Sequence, residues 1–175
     1  MKRIAVACLL LAGLGAGFAE AHPHFNKTVT AKLPSGVEAT ITYNTTPSNE
    51  VRAAEAPVGV FVTPRRPVLK LSGALETGKV TVPAGDYTIG VIKNGDKDWT
   101  MALYPGVLAR EDKPDVAKAL RLESIFSADH GVAEHMLIDI TPGGPKLEGR
   151  AVLTLHFGGL FLSGALSPAT AAAPR

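Results

Sequence analysis

The chain of 175 residues carries five histidines and one cysteine, and the histidines are the side chains best placed to do chemistry. His22-Pro23-His24 follows Ala19-Glu20-Ala21, a small-residue A-x-A stop of the kind a signal peptidase cuts. A cut after Ala21 makes His22 the first residue. Its α-amine and ring Nδ1 then form a nitrogen chelate suited to Cu(II). A second imidazole completes such a set, and His24, His130, His135 and His156 are the candidates. Pro23 has no amide proton, which excludes the amino-terminal copper site built on the amides of residues two and three. A two-histidine site needs no such amide. His135 alternates with Leu137 and Asp139, opposite Met136, Ile138 and Ile140, so it points outward from a strand whose other face is core. The candidate metal set is His22, His24 and His135, with Cu(II) as the ion.

Other reactive arrangements do not form. The sequence has no G-x-S-x-G and no phosphate- or dinucleotide-binding glycine pattern. His130 and His135 are five residues apart, which on a helix is about 500° of rotation and turns the two rings roughly 140° apart. That spacing excludes an H-x-x-E-H zinc protease. Met101 and Met136 could be soft copper ligands, but both sit in apolar strand segments, where methionine packs. Arg65-Arg66, flanked by Pro64 and Pro67, is either a solvated charge pair or an anion contact. No catalytic residue is assigned, and the expected role is that of a non-catalytic binding domain.

The first segment reads as an address. Met1-Lys2-Arg3 is positive, residues 4–14 are apolar, and the A-x-A stop follows, the layout of a secretory signal peptide over residues 1–21. The expected location is the periplasm or the medium. Cys8 leaves with that segment, so the fold must rest on its core rather than on a disulfide. The formal net charge is +2, from 18 basic and 16 acidic residues, with no basic stripe, which argues against a nucleic-acid partner. No later apolar run is long enough to span a bilayer. The expected partner is a small ligand or a periplasmic protein.

The elements that must position these residues are strands. Residues 37–44 alternate apolar and polar, and residues 28–33 precede them across Pro34-Ser35-Gly36, a hairpin pattern. Further strands are expected at 58–62, 68–75, 79–82, 122–126, 135–140, 151–157 and 160–166. Residues 87–93 and 99–104 pair across Asn94-Gly95, the strongest short hairpin signal. Only 112–120 has helical spacing, with Pro114 in its first turn. The fold class is therefore all-β, an antiparallel β-sandwich of about nine strands with at most one short helix. The domain spans 22–167, and the Ala/Pro-rich residues 168–175 form a disordered tail. Two long connections, 45–57 and 107–120, are where function is expected.

Pro83-Ala84-Gly85-Asp86-Tyr87-Thr88-Ile89, Trp99-Thr100-Met101-Ala102-Leu103 and Glu134-His135-Met136-Leu137-Ile138 resemble three strands of an exported bacterial family known as domain of unknown function 2911. The strand at 151–157 resembles that family's next one. The resemblance implies an exported β-domain and no particular activity. In the first half, Tyr43 precedes Asn44-Thr45-Thr46-Pro47 where members carry an Arg-Pro turn. A terminal histidine on an exported β-sandwich is also similar to the histidine brace of lytic polysaccharide monooxygenases and of periplasmic copper-resistance C proteins. That likeness implies Cu(II) held by His22, although the Asp-x-His pattern of the latter is absent.

Overall fold

Strict alternation builds the first hairpin. The computed structural model describes residues 24–33 and 35–169. The segment read as a signal peptide, His22 and residues 170–175 of the tail lie outside the described residues. β1 (Asn26–Lys32) and β2 (Glu38–Asn44) pair antiparallel. Ala39, Ile41 and Tyr43 are buried while Glu38 and Thr42 are exposed, as a half-buried strand requires. A helix, α1 (Glu50–Ala54), follows. Next come β3 (Phe61–Val62), β4 (Val68–Leu71), β5 (Leu75–Thr77), β6 (Val80–Val82), β7 (Gly85–Gly95) and β8 (Asp98–Pro105). The second half contributes β9 (Leu120–Arg121), β10 (Ser124–Ser127), β11 (Ala133–Pro142), β12 (Ala151–Gly158) and β13 (Leu160–Pro168).

These strands form two sheets whose ladders are all antiparallel. One has the order β1-β2-β4-β7-β8-β9, with β3 also on β7; the other is β11-β12-β13-β5-β6, with β10 also on β13. Tyr87, Ile89, Val91, Trp99, Met101 and Leu103 of the first sheet meet Met136, Ile138, Leu153, Leu155 and Leu162 of the second in one core. Full burial of each such side chain stabilises by about 1.5–3 kcal/mol, which is how a chain with a single cysteine holds together without a disulfide. The fold is the all-β sandwich expected. No helix among the described residues is long and apolar enough to cross a membrane.

Four strand and turn expectations fail, each for a physical reason. Residues 68–75 are not one strand: β4 and β5 lie in different sheets, and Ser72-Gly73-Ala74 carries the chain across. The strand expected at 122–126 starts only at Ser124, as β10 on β13; Leu122-Glu123 carries the chain across from β9, which ends at Arg121 on β8. Alternation looks the same on both sides of such a crossing, so period alone cannot locate it. At 58–62 only Phe61 and Val62 pair, and Val58 and Val60 are exposed. The β7–β8 turn is at Asp96-Lys97 rather than Asn94-Gly95, because Asn94 sits in a register shift. There its amide donates to Thr100 Oγ1 at 2.8 Å and accepts from Arg121 Nη1 at 3.0 Å.

The expected helix at 112–120 is a single 3-10 turn, Val116–Lys118, with Asp115 Oδ1 accepting from the Ala117 amide at 3.0 Å. Leu108, Val116 and Ala119 cover Phe61, Ile92 and Ala102 on the outer face of the first sheet. One tight turn presents an i, i+3 pair to that face, so a longer helix gains nothing there. This cover buries β7 on both sides, which accounts for its unbroken buried run from Tyr87 to Lys93, Thr88 included. It also draws β3 close. A Cβ at Gly90 would lie 2.6 Å from the Val62 carbonyl oxygen and inside contact distance of the Phe61 ring.

At the opposite end of β7, the Tyr87 hydroxyl donates to the Pro83 carbonyl at 2.7 Å, tying the turn before the strand to the buried ring. Desolvation holds the Tyr87 phenol above its usual value. A raised phenol pKa favours the folded state while the group is neutral, so this contribution is present below about pH 10 and fades as pH rises through the folded-state value. Tyr87→Phe should lose about 0.5–1.5 kcal/mol at pH 8 and show a flatter stability profile than the wild type as pH rises above about 10, read by urea denaturation.

Candidate functional site

The connection 45–57 lies at the end of the sandwich where the β7–β8 and β12–β13 hairpins finish, and from the connection 107–120 Arg110 lines the same cavity. Residues 46–48 run antiparallel along the edge of β11: the Met136 amide donates to Thr46 O and the Ser48 amide to Glu134 O, both at 2.8 Å. Pro47 thereby pairs with His135. Asn49 then caps α1, its Oδ1 accepting from the Arg52 amide at 2.9 Å. An Asn at this position satisfies a backbone donor that the helix itself cannot. Asn49 followed by Glu50 and an alanine-rich run was the sequence signal for this helix, but five residues are too few to show a period.

α1 is fastened to both sheets. Glu50 Oε1 accepts from the Gly159 amide at 2.6 Å, in the β12–β13 turn. Gly158 beside it has φ +61°, and a side chain there would strike Glu50. The buried Lys93 ammonium, on β7, donates to the Ala54 carbonyl at 2.6 Å and lies 5.9 Å from the Trp99 ring centroid, within reach of a cation–π contact. A charge taken this far from water needs such partners.

Beneath this strap lies a cavity of about 690 Å3, within the range that holds small organic ligands. Its floor comes from the inner faces of both sheets. Val62, Val91 and Trp99 belong to one; Leu155, Phe157, Leu160 and Leu162 belong to the other. Arg52 from α1, Arg65 and Arg66 from the β3–β4 connection, and Arg110 from the connection after β8 also line it, and no acidic residue does. Among the described residues the ion pairs are Lys32–Glu38 and Lys93–Asp96. None of the four guanidiniums pairs with a carboxylate there. Arg66 Nη2 donates to the Arg110 carbonyl.

The β3–β4 connection is held in an unusual backbone. β3 and β4 both pair with β7, so residues 63–67 bulge from what is otherwise one line of pairing. Thr63 Oγ1 donates to Ile89 O at 2.7 Å and the Ile89 amide to Pro67 O at 2.8 Å, clamping both ends. Arg65 and Arg66 between them have φ of 56° and 47°. Successive left-handed residues suit a tight turn of two glycines or Asn-Gly, and an L side chain there costs about 1–2 kcal/mol each. Strain of this sort collects at functional sites.

The histidines divide into two groups. His24 is exposed, with Nδ1 3.3 Å from the Thr45 carbonyl oxygen, and the Phe25 amide donates to Thr45 Oγ1 at 2.9 Å. His24 and His135 are therefore attached to the same short segment, 45–47. As expected, Met136, Ile138 and Ile140 are buried; His135, within the register shift of β11 and bridged to Pro47, is half-buried. His130 and His156 instead pack on Phe161, with ring centroids 4.1 and 5.4 Å away. His22 lies outside the described residues. Among the described residues no three His, Cys, Asp or Glu side chains stand close enough to hold a metal ion. Met101 and Met136 are wholly buried, packed in the core.

Another cavity, about 410 Å3, lies on the outer face of the second sheet, where Glu76, Glu123 and Arg150 mix their charges over Val152 and Ala165. It is smaller and does not enter the core. Comparisons with protein families, curated proteins and solved structures each found no match to the chain.

Relief of the turn strain is measurable. Arg65→Gly should raise stability by about 1 kcal/mol, seen as a higher Tm and a later urea midpoint at unchanged slope, despite the loss of a side chain.

Proposed function

We propose that the chain is an exported, non-catalytic β-sandwich domain that binds a small ligand, and that the cavity under α1 is the ligand site. The observation that carries this reading is the shared floor: apolar side chains of both sheets face a cavity that a short strap, rather than more core, covers. A sandwich selected for stability alone would fill such a space, since voids cost dispersion contacts. Residues 1–21 support export, and the three strand motifs that resemble domain of unknown function 2911 support an exported β-domain.

Trp99 is the chain's single tryptophan and lines the cavity, so its emission reports occupancy. Titration with the neutral apolar dye N-phenyl-1-naphthylamine should quench Trp99 by energy transfer and saturate. Ala53→Phe, which places a ring at the cavity mouth, should weaken that binding at least tenfold. Unsaturable quenching, or equal affinity in the variant, would remove the reading.

A second reading is a periplasmic Cu(II)-binding protein with a brace headed by His22 and completed by His24 or His135. It is favoured by the attachment of His24 and His135 to the one segment 45–47. The mature protein should then bind one Cu(II) in native mass spectrometry, and a form with one extra residue before His22 should bind it far more weakly. Equal affinity in the two forms would exclude this reading.

A further inference from the structure

We infer that the ligand of the cavity under α1 is an anionic amphiphile: a monomeric apolar molecule bearing one carboxylate or phosphate. The inference rests on the reading of that cavity as the ligand site and adds the chemical class.

Three observations combine. The floor is apolar and belongs to the inner faces of the two sheets, so the body of the ligand must tolerate a dry surface. The lining is one-signed, with Arg52, Arg65, Arg66 and Arg110 and no carboxylate among the described residues. Like charges brought together without counter-charge repel, and a bound anion relieves that repulsion. The four come from three separate segments of chain, so their convergence belongs to the tertiary fold. The turn carrying Arg65 and Arg66 also adopts a backbone unfavourable to any L residue, which glycine at either position would ease. Retaining arginines there costs stability and supplies two planar forks, the geometry that grips carboxylate or phosphate through paired hydrogen bonds.

The same lining argues against other ligands. A cationic molecule meets four guanidiniums and no acid. A neutral sugar would leave an apolar floor covered by hydroxyls. A membrane surface could meet the arginines but would leave unused the apolar floor, which belongs to the inner faces of the two sheets.

The test uses the whole mature protein and Trp99 emission, with decanoate, decyl phosphate, decanol and decyltrimethylammonium titrated below their micelle concentrations. Decanoate or decyl phosphate should bind at least tenfold more tightly than decanol and the cation, and the preference should shrink as salt rises. The pair of anions separates carboxylate from phosphate preference, and either supports the class. Arg52→Gln with Arg65→Gln should abolish the preference and leave decanol affinity unchanged. Decanol binding as tightly as both anions would overturn the anionic assignment while leaving the cavity as the site. Failure of all four, with no binding of N-phenyl-1-naphthylamine, would remove the site itself. Sedimentation with phosphatidylglycerol vesicles, without a Trp99 response to any monomer, would replace the inference with membrane docking.

Discussion

Two packed sheets must close the ends of the space between them or leave apolar side chains to water. At the end where β7–β8 and β12–β13 turn, neither sheet does so. Closure falls to ten residues after β2, which add to the edge of β11, make one helical turn and cross above Trp99 and Leu162. Glu50 and Lys93 fasten that crossing from opposite sides, the carboxylate to a turn amide of one sheet and the ammonium to the helix from the other. Because the fastening uses side-chain ends and not packed apolar groups, space remains beneath it.

The arrangement divides core packing from charged side chains along the chain. Stability resides in the inner faces of β7, β8, β12 and β13, and in the cover that the connection after β8 lays over the outer face of β7. Polar chemistry gathers in the segments between strands. Arg65 and Arg66 stand in a turn whose dihedral angles a stability-driven sequence would assign to glycine. Local preference and observed residue disagree there, and such disagreement is expected where a side chain serves a ligand.

Much of the fold was legible in the residues. The alternation of Ala39, Ile41 and Tyr43, the strand from Tyr87 to Lys93 that leads into a hairpin turn and the glycine-separated strands after residue 142 specify an antiparallel sandwich. The crossings at Ser72-Gly73-Ala74 and before Ser124 were not legible, since a strand that changes sheet keeps its period. α1 was hidden by its length. The two long connections were recognisable by their length, and Arg65-Arg66 was visible as a charge pair with an anion contact as one of two readings. What the sequence could not supply was their meeting with Arg52 and Arg110, because convergence of three segments is a property of the tertiary fold. The histidines drew attention by their chemistry; the fold attaches His24 and His135 to one segment and places His130 and His156 around Phe161.

The most direct measurement is of intermolecular nuclear Overhauser contacts between carbon-13-labelled decanoate and the methyl groups of the mature protein. The account predicts contacts from the alkyl chain to Val91, Leu155 and Leu162, with the carboxylate end nearest the side chains of Arg52 and Arg65. Contacts confined to outward-facing methyls such as those of Val152 and Ala165, with none to Val91 or Leu162, would contradict it.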